Sequence, residues 1–189
     1  MISTIKIAIR FTLITAVLLG LIYPLAMTVF AHFYMPDKSV GQLVVRNGQV
    51  VGSAIIGQSF VDDKYFHGRP SAAGNGYDAA NSSGSNYAPS NKKLVDRMQG
   101  DLATYQKTTP GQPVPIDLVT ASGSGLDPDI TPAAALYQVH RVSEARHLNE
   151  DAVRKLVLAH VQGRQFGVLG EPRVNLLALN LALDDAAGK

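Results

Sequence analysis

Apolar residues crowd one end of this chain. From Phe11 to Ala31 the sequence runs FTLITAVLLGLIYPLAMTVFA without a charge. About 21 residues is the length a helix needs to cross the hydrocarbon core of a bilayer, and no later stretch approaches it. The pattern predicts a short tail over 1–10, a transmembrane helix over 11–34 and an extramembrane domain over 35–189. Within the span Ala16, Gly20 and Pro24 follow one another at four-residue steps. Small residues so spaced let a second helix approach closely, and Pro24 removes one backbone hydrogen bond and predicts a kink. Ala16, Gly20 and Pro24 are therefore candidate partner contacts, with a plain lipid anchor as the alternative. A cleavable leader is the rival reading, from the basic Lys6 and Arg10 and the small-residue site at Val29-Phe30-Ala31. The apolar core exceeds the roughly 7–15 residues of such leaders, which favours a retained anchor.

Beyond Pro36 the pattern changes to short alternations. QLVVRNGQVVGSAII (42–56) places β-branched runs on either side of Asn47-Gly48, which predicts a hairpin with a two-residue turn. Phe60, Tyr65 and Phe66 form an aromatic cluster suited to core packing. From His67 to Asn91 Leu, Ile and Val are absent, and Gly, Ser, Asn, Ala and Pro dominate. Residues 67–91 are predicted to be a long loop, a length that is usually functional or disordered. Leu94, Met98, Leu102 and Tyr105 recur at helical spacing behind a Ser90 or Asn91 cap, which predicts a helix over 90–107. Ile116–Thr120 reads as a buried strand. Thr131-Pro132 opens a helix carrying Val139 and Val142. Asn149 caps the next, with Val153, Leu156, Val157 and Val161 on its apolar face and Gly163 at its end. Gly167 and Gly170 predict a turn, Glu171 and Arg173 a pair, and Asn175 the cap of a last helix over Leu176–Leu183. The fold class is α+β: a single N-terminal transmembrane helix followed by one mixed α/β extramembrane domain.

Charge narrows the picture only a little. Among 189 residues the net charge is +2, without the basic stripe of a nucleic-acid binder. With no cysteine, disulfides and thiolate metal sites are excluded. Lys6 and Arg10 before the span balance Lys38 and Arg46 after it, and the free amino terminus tips the count. The predicted arrangement is N-terminus inside and domain outside.

Three groups are candidates for chemistry. His67 and Arg69 open the long loop and are read either as partner contacts, Arg69 also as an anion contact, or as donors to the loop's own carbonyls. ASGSGLDPD (121–129) places small residues between a predicted strand and a helix. It lacks the lysine of a phosphate-binding loop, and it fits neither the dinucleotide fingerprint nor the nucleophile elbow. Asp127 and Asp129 fall short of a calcium loop and suit a turn in which they bond nearby amides. His140, His147 and His160 lack the spacing of a helical zinc site, and no metal site is predicted. A membrane-anchored hydrolase using Ser85 or Ser124 with His67 is an alternative from another class.

Several long motifs in one order resemble the C chain of the Kdp-type potassium-transporting ATPase of bacteria. They are Tyr65-Phe66-His67-Gly68-Arg69-Pro70-Ser71, Ser83-Gly84-Ser85-Asn86, Pro89-Ser90-Asn91, Asp117 through Asp127, Ile130 through Ala135, Gly170 through Asn175 and Leu179 through Asp184. The resemblance covers nearly the whole chain. It implies a single-pass subunit of the bacterial inner membrane, and the charge balance across the span puts its domain on the outer, periplasmic side. It also implies three partners: a channel-like potassium-binding subunit, a P-type ATP-hydrolysing subunit and a very small membrane subunit. The chain lacks the Asp-Lys-Thr-Gly of a P-type phosphorylation site, since Asp63-Lys64 runs into Tyr65-Phe66; it is expected to be non-catalytic. Two roles follow from the resemblance. One is assembly and coupling of the pump from outside. The other is a catalytic chaperone that raises the ATP affinity of the P-type subunit through a shared nucleotide complex. In the second, Ser122, Gly123, Ser124, Gly125 and Asp127 are the nucleotide contacts and ATP the shared ligand.

Overall fold

Residues Ile2–Tyr34 form one helix of 33 residues (α1), long and apolar enough to cross a membrane. The computed structural model describes residues 1–186, so the final residues 187–189 of the expected domain lie outside the described residues. The chain divides into two units, the first ending at Leu43 and the second starting at Val44. Inside α1, Leu18–Ile22 is a π-helical turn, and Tyr23 N–H donates to the Leu18 carbonyl. This widened turn includes Gly20, whose carbonyl the Pro24 ring would meet in a regular α-helix. The irregularity expected from Pro24 thus takes the form of a π turn just before it. Thr15 and Thr28 return their hydroxyls to the Phe11 and Pro24 carbonyls at 2.8 and 2.9 Å. A four-residue turn, α2 (Pro36–Ser39), follows.

A hairpin follows, β1 (Leu43–Arg46) with β2 (Gln49–Ser53), all but its first residue in the second unit. Asn47 and Gly48 have φ of 53° and 78°, the pair of positive values a type I′ turn demands. The chain then crosses residues 54–91 without a helix or strand and enters α3 (Lys92–Thr108), where Asn91 Oδ1 accepts from Lys93 N–H. Then come β3 (Asp129–Ile130), α4 (Pro132–Arg146), α5 (Glu150–Ala159), β4 (Val161–Gln162), β5 (Arg173–Asn175) and α6 (Leu176–Ala186). The small antiparallel sheet has the order β3-β5-β4, with Ile130 and Val161 both opposite Val174. Side-chain caps fix where the helices begin. Thr131 Oγ1 accepts from Ala134 N–H at 3.0 Å, Asn149 Oδ1 from Ala152 N–H at 3.1 Å and Asn175 Oδ1 from Ala178 N–H at 3.1 Å.

One core joins α4, α5, the three-stranded sheet and α6. Val139 and Val142 of α4, Val153 and Val157 of α5, Val174 of β5 and Leu179 and Leu183 of α6 are nearly or fully buried in it, with Phe66 and Leu118 brought in from irregular chain. The strand expected at Ile116–Thr120 is instead a 3₁₀ turn, Ile116–Leu118. Asp117 decides this: its carboxylate accepts from Thr131 N–H at 2.8 Å and Thr131 Oγ1–H at 3.1 Å, and the turn aims it there. The α5 helix stops at Ala159 rather than Gly163, because Val161 leaves it to pair with Val174. Glu171 and Arg173 do not pair with each other. Arg173 reaches across the β3–β5 ladder to Asp129 at 3.0 Å, and Glu171 meets Arg164 at 2.6 Å.

Candidate functional site

The chain from Tyr65 to His67 has no strand beside it, yet its backbone is paired. Phe66 N–H donates to Asn180 Oδ1 at 2.9 Å, and Asn180 Nδ2 returns to the Phe66 carbonyl at 3.0 Å. One residue on, His67 N–H donates to Gln138 Oε1 at 2.8 Å, and Gln138 Nε2 returns to the His67 carbonyl at 3.0 Å. Two side-chain amides, each 1% exposed, thus take the place of a neighbouring strand and satisfy groups that burial would otherwise orphan. Arg141 adds a bond to the Tyr65 carbonyl at 3.0 Å and one to Gln138 Oε1 at 2.7 Å. Arg146 donates to the Lys64 carbonyl at 2.6 Å and pairs with Asp184 at 2.7 Å. Burial pulls the Arg141 pKa below its usual value, against the opposing pull of Asp63.

This clasp delivers Arg69 to a seam with the loop at 120–127. Arg69 Nη1 pairs with Asp127 Oδ2 at 2.9 Å, while Nε and Nη2 donate to the Thr120 and Ala121 carbonyls at 3.3 Å. Ser71 Oγ–H donates to the Gly125 carbonyl at 2.6 Å and accepts from Tyr77 N–H at 2.7 Å. Tyr77 O–H closes the ring on the Arg69 carbonyl at 2.6 Å, and burial pushes its pKa to about 12. The Ser124 carbonyl accepts from Ser83 N–H at 2.9 Å and Ser82 Oγ–H at 3.0 Å. Gly125 has φ +67°, and a Cβ on it would stand 2.6 Å from the Ser83 carbonyl oxygen and 2.7 Å from Ala73 N. Only glycine suits both that backbone and that approach.

The structure therefore brings Arg69, Ser122, Gly123, Ser124, Gly125 and Asp127 into one place, where the two loops bond to each other. His67 lies at the clasp instead. Its Nε2–H donates to the Asp62 carbonyl at 3.1 Å, and burial first, then the Arg141 charge, lowers its pKa. Ser124 Oγ accepts from Leu126 N–H at 3.1 Å. Among the described residues no serine–histidine hydrogen bond of the kind a nucleophile needs is formed. Asp127 and Asp129 are taken up by arginines, Asp127 also accepting from Asp129 N–H at 3.1 Å. Burial raises the Asp129 pKa. No cluster of three or more metal-ligating residues occurs among the described residues. Beside the seam lies an open cavity of about 330 Å³, bordered by Phe60, His67, Arg69, Ser71 and Tyr77. Ala16, Gly20 and Pro24 belong to α1, in the first unit, and Gly20 has open space where a Cβ would project.

Sequence reasoning missed Gln138, Arg141 and Asn180. A signal was present: Ala134, Gln138 and Arg141 fall at i, i+4 and i+7, which puts polar side chains on the face that helical periodicity assigns to the core. Asn180 likewise interrupts Leu176, Leu177, Leu179 and Leu183.

A family model described as the K+-transporting ATPase c chain, KdpC, matches residues 5–185. Three relatives bear the name potassium-transporting ATPase KdpC subunit. The one from Acidobacterium capsulatum is 58% identical over 94% of this chain and 95% of its own. The one from Koribacter versatilis is 54% identical over 92% and 90%. The one from Rhodopseudomonas palustris strain BisB5 is 53% identical over the whole of both chains. With over half the residues shared along nearly the full length, the chain belongs to the KdpC family of potassium-transporting ATPase subunits.

Proposed function

We propose that this chain is a non-catalytic accessory subunit of an ATP-driven potassium uptake pump, anchored by α1 in the bacterial inner membrane with its domain outside. There it stabilises the assembly and couples the channel-like, potassium-binding subunit to the P-type subunit that hydrolyses ATP, alongside a small membrane subunit. On α1, the step of Ala16, Gly20 and Pro24 suits packing against a partner helix in the lipid. The observation that carries this reading is the seam. The loop at 122–127 has the small residues of a phosphate cradle, but its carbonyls accept from Ser71, Ser82 and Ser83, and its one acidic side chain is paired with Arg69. A phosphate cradle turns a free cation toward an open face, whereas Arg69 here is committed to Asp127 and to the Thr120 and Ala121 carbonyls. Internal bonding of this kind favours a shaped docking surface over direct contact with ATP.

The side of the membrane decides between the two roles. Ser83 is exposed and its hydroxyl bonds only locally, to the Gly84 carbonyl at 3.0 Å. Ser83→Cys gives the chain, which has no cysteine of its own, a single thiol. A membrane-impermeant maleimide is expected to label it in intact cells. Labelling only after permeabilisation would place the domain with cytosolic ATP and transfer the argument to joint nucleotide binding by Ser122–Asp127.

A further inference from the structure

Between β4 and β5 the chain makes a tongue, residues 163–172, every residue of which is exposed. It is nonetheless built. Gln165 and Leu169 form an antiparallel bridge, with Gln165 N–H to the Leu169 carbonyl at 2.8 Å and Leu169 N–H to the Gln165 carbonyl at 2.9 Å. Arg164 and Glu171 pair just below it at 2.6 Å. The tongue is rooted in β5, the middle strand of the sheet, whose Val174 and Asn175 are buried. At its tip Phe166 is 93% exposed, more than any other large apolar side chain described in the domain, and Val168 and Leu169 stand beside it. Phe166 also has φ +53°, ahead of Gly167 at +77°. That is a type I′ turn, where glycine, asparagine or aspartate is the unstrained choice at the first position and an aromatic is not.

Folding alone gives no reason for that residue. Glycine at 166 would relieve the backbone and leave no apolar ring in water. An aromatic held out rigidly by a braced turn, above a polar rim, is the anatomy of an interface anchor. We infer that Phe166, with Val168 and Leu169, enters an apolar pocket on another protein subunit of the pump; the inference rests on the accessory-subunit reading above. The charge balance of the tongue favours a protein over the bilayer. The only charges on the tongue, Arg164 and Glu171, neutralise each other, whereas segments that settle on anionic lipid carry a basic rim. A second copy of the chain is disfavoured by size. Two such tips could cover only a few hundred Å², against roughly 1,200–2,000 Å² for a stable interface. Within a complex that other contacts already hold together, a small preorganised anchor is sufficient.

The test separates anchoring from folding. Phe166→Gly is made in the full chain, coexpressed with the other pump subunits. Its retention on a tagged partner through a detergent wash is compared with its melting alone in nanodiscs. The expected result is release about tenfold faster than wild type, with free-chain melting unchanged or raised. Wild-type retention, or a fall in free-chain melting, overturns the inference. A wild-type chain that is never retained sinks the subunit reading itself. Phe166→Trp then identifies the occupant, because the chain has no tryptophan and one 5-fluorotryptophan reports by ¹⁹F NMR. Exposure to water in nanodiscs, lost only when the partners are added, is expected. Protection in nanodiscs alone means lipid if independent of concentration and a second copy if not, and either outcome overturns the partner pocket. Exposure in both settings does the same.

Discussion

Replacing Arg69 by alanine severs the seam at its densest point. The guanidinium makes one ion pair at 2.9 Å and two longer bonds to carbonyls at 3.3 Å, and the Arg69 and Asp127 side chains are 25% and 30% exposed. A fully exposed pair of this kind contributes under about 1 kcal/mol, whereas hydrogen bonds to charged groups contribute about 1.5–3 kcal/mol. Partial burial puts the pair near about 1 kcal/mol, and the two long carbonyl bonds add about 0.5 kcal/mol each. Arg69→Ala is thus expected to destabilise by about 2 kcal/mol, a fall of roughly 4–8 °C in melting temperature for a protein of this size. Arg69→Lys keeps the charge but cannot reach the carboxylate and both carbonyls from one ammonium, so about half the loss is expected. The assay is thermal and urea unfolding of the full chain in detergent, followed by circular dichroism. A double-mutant cycle with Asp127→Asn is expected to show a coupling of about 1 kcal/mol. If Arg69→Ala melts with wild type and the coupling is below about 0.3 kcal/mol, the arginine does not stitch the loops. It would then be available to an anion, and the argument for a shaped surface fails.

Two further outcomes follow. Gly125→Ala is expected to cost about 2–4 kcal/mol, because φ +67° and two backbone atoms within 2.7 Å oppose the new methyl; Gly100→Ala, in the α3 interior with open space around it, is expected to stabilise by about 0.5–1 kcal/mol. Equal melting shifts in the two variants would contradict this. For His67 the pKa in the folded chain lies below its ordinary 6.5, so the unfolded state binds the proton more readily just under that pH. Its contribution to stability is complete above 6.5 and is lost as the pH falls toward the folded value. His67→Gln is expected to flatten the stability-versus-pH curve in that window by at most about 1.4 kcal/mol per pH unit. Parallel curves for the two proteins would refute it.

What was legible in the sequence is what short-range chemistry dictates. Asn47-Gly48 specifies its turn because both positions need positive φ, and Asn91, Thr131, Asn149 and Asn175 mark helix starts because each carries the oxygen an orphan amide requires. The apolar run to Ala31 identifies α1 without reference to anything else. Ile116–Thr120 misled because β-branched composition speaks for a strand, while the long-range bonds from Asp117 to Thr131 decide for a turn. The clasp was invisible for a similar reason. Nothing local says that Gln138 and Asn180 will face inward, and their partners stand 71 and 114 residues away along the chain.

The clasp and the seam together explain how a stretch without Leu, Ile or Val acquires a fixed shape. It cannot bury an apolar face of its own, so hydrophobic burial cannot offset the entropy of ordering it. It is instead bonded at one end by Asn180, Gln138 and Arg141 from two packed helices, and along its length by the loop at 120–127. Buried amides are costly unless every group is satisfied, and here both are matched donor to acceptor on one peptide pair. Three motif residues suggestive of ligand chemistry, Arg69, Gly125 and Asp127, are among those that hold the two loops in register. Replacing them should therefore change the shape that the domain presents before it changes any affinity for a small molecule. The tongue that carries Phe166 is rooted elsewhere, in β5 of the sheet, and braced by its own Gln165–Leu169 bridge, so the same replacements should leave its tip in place.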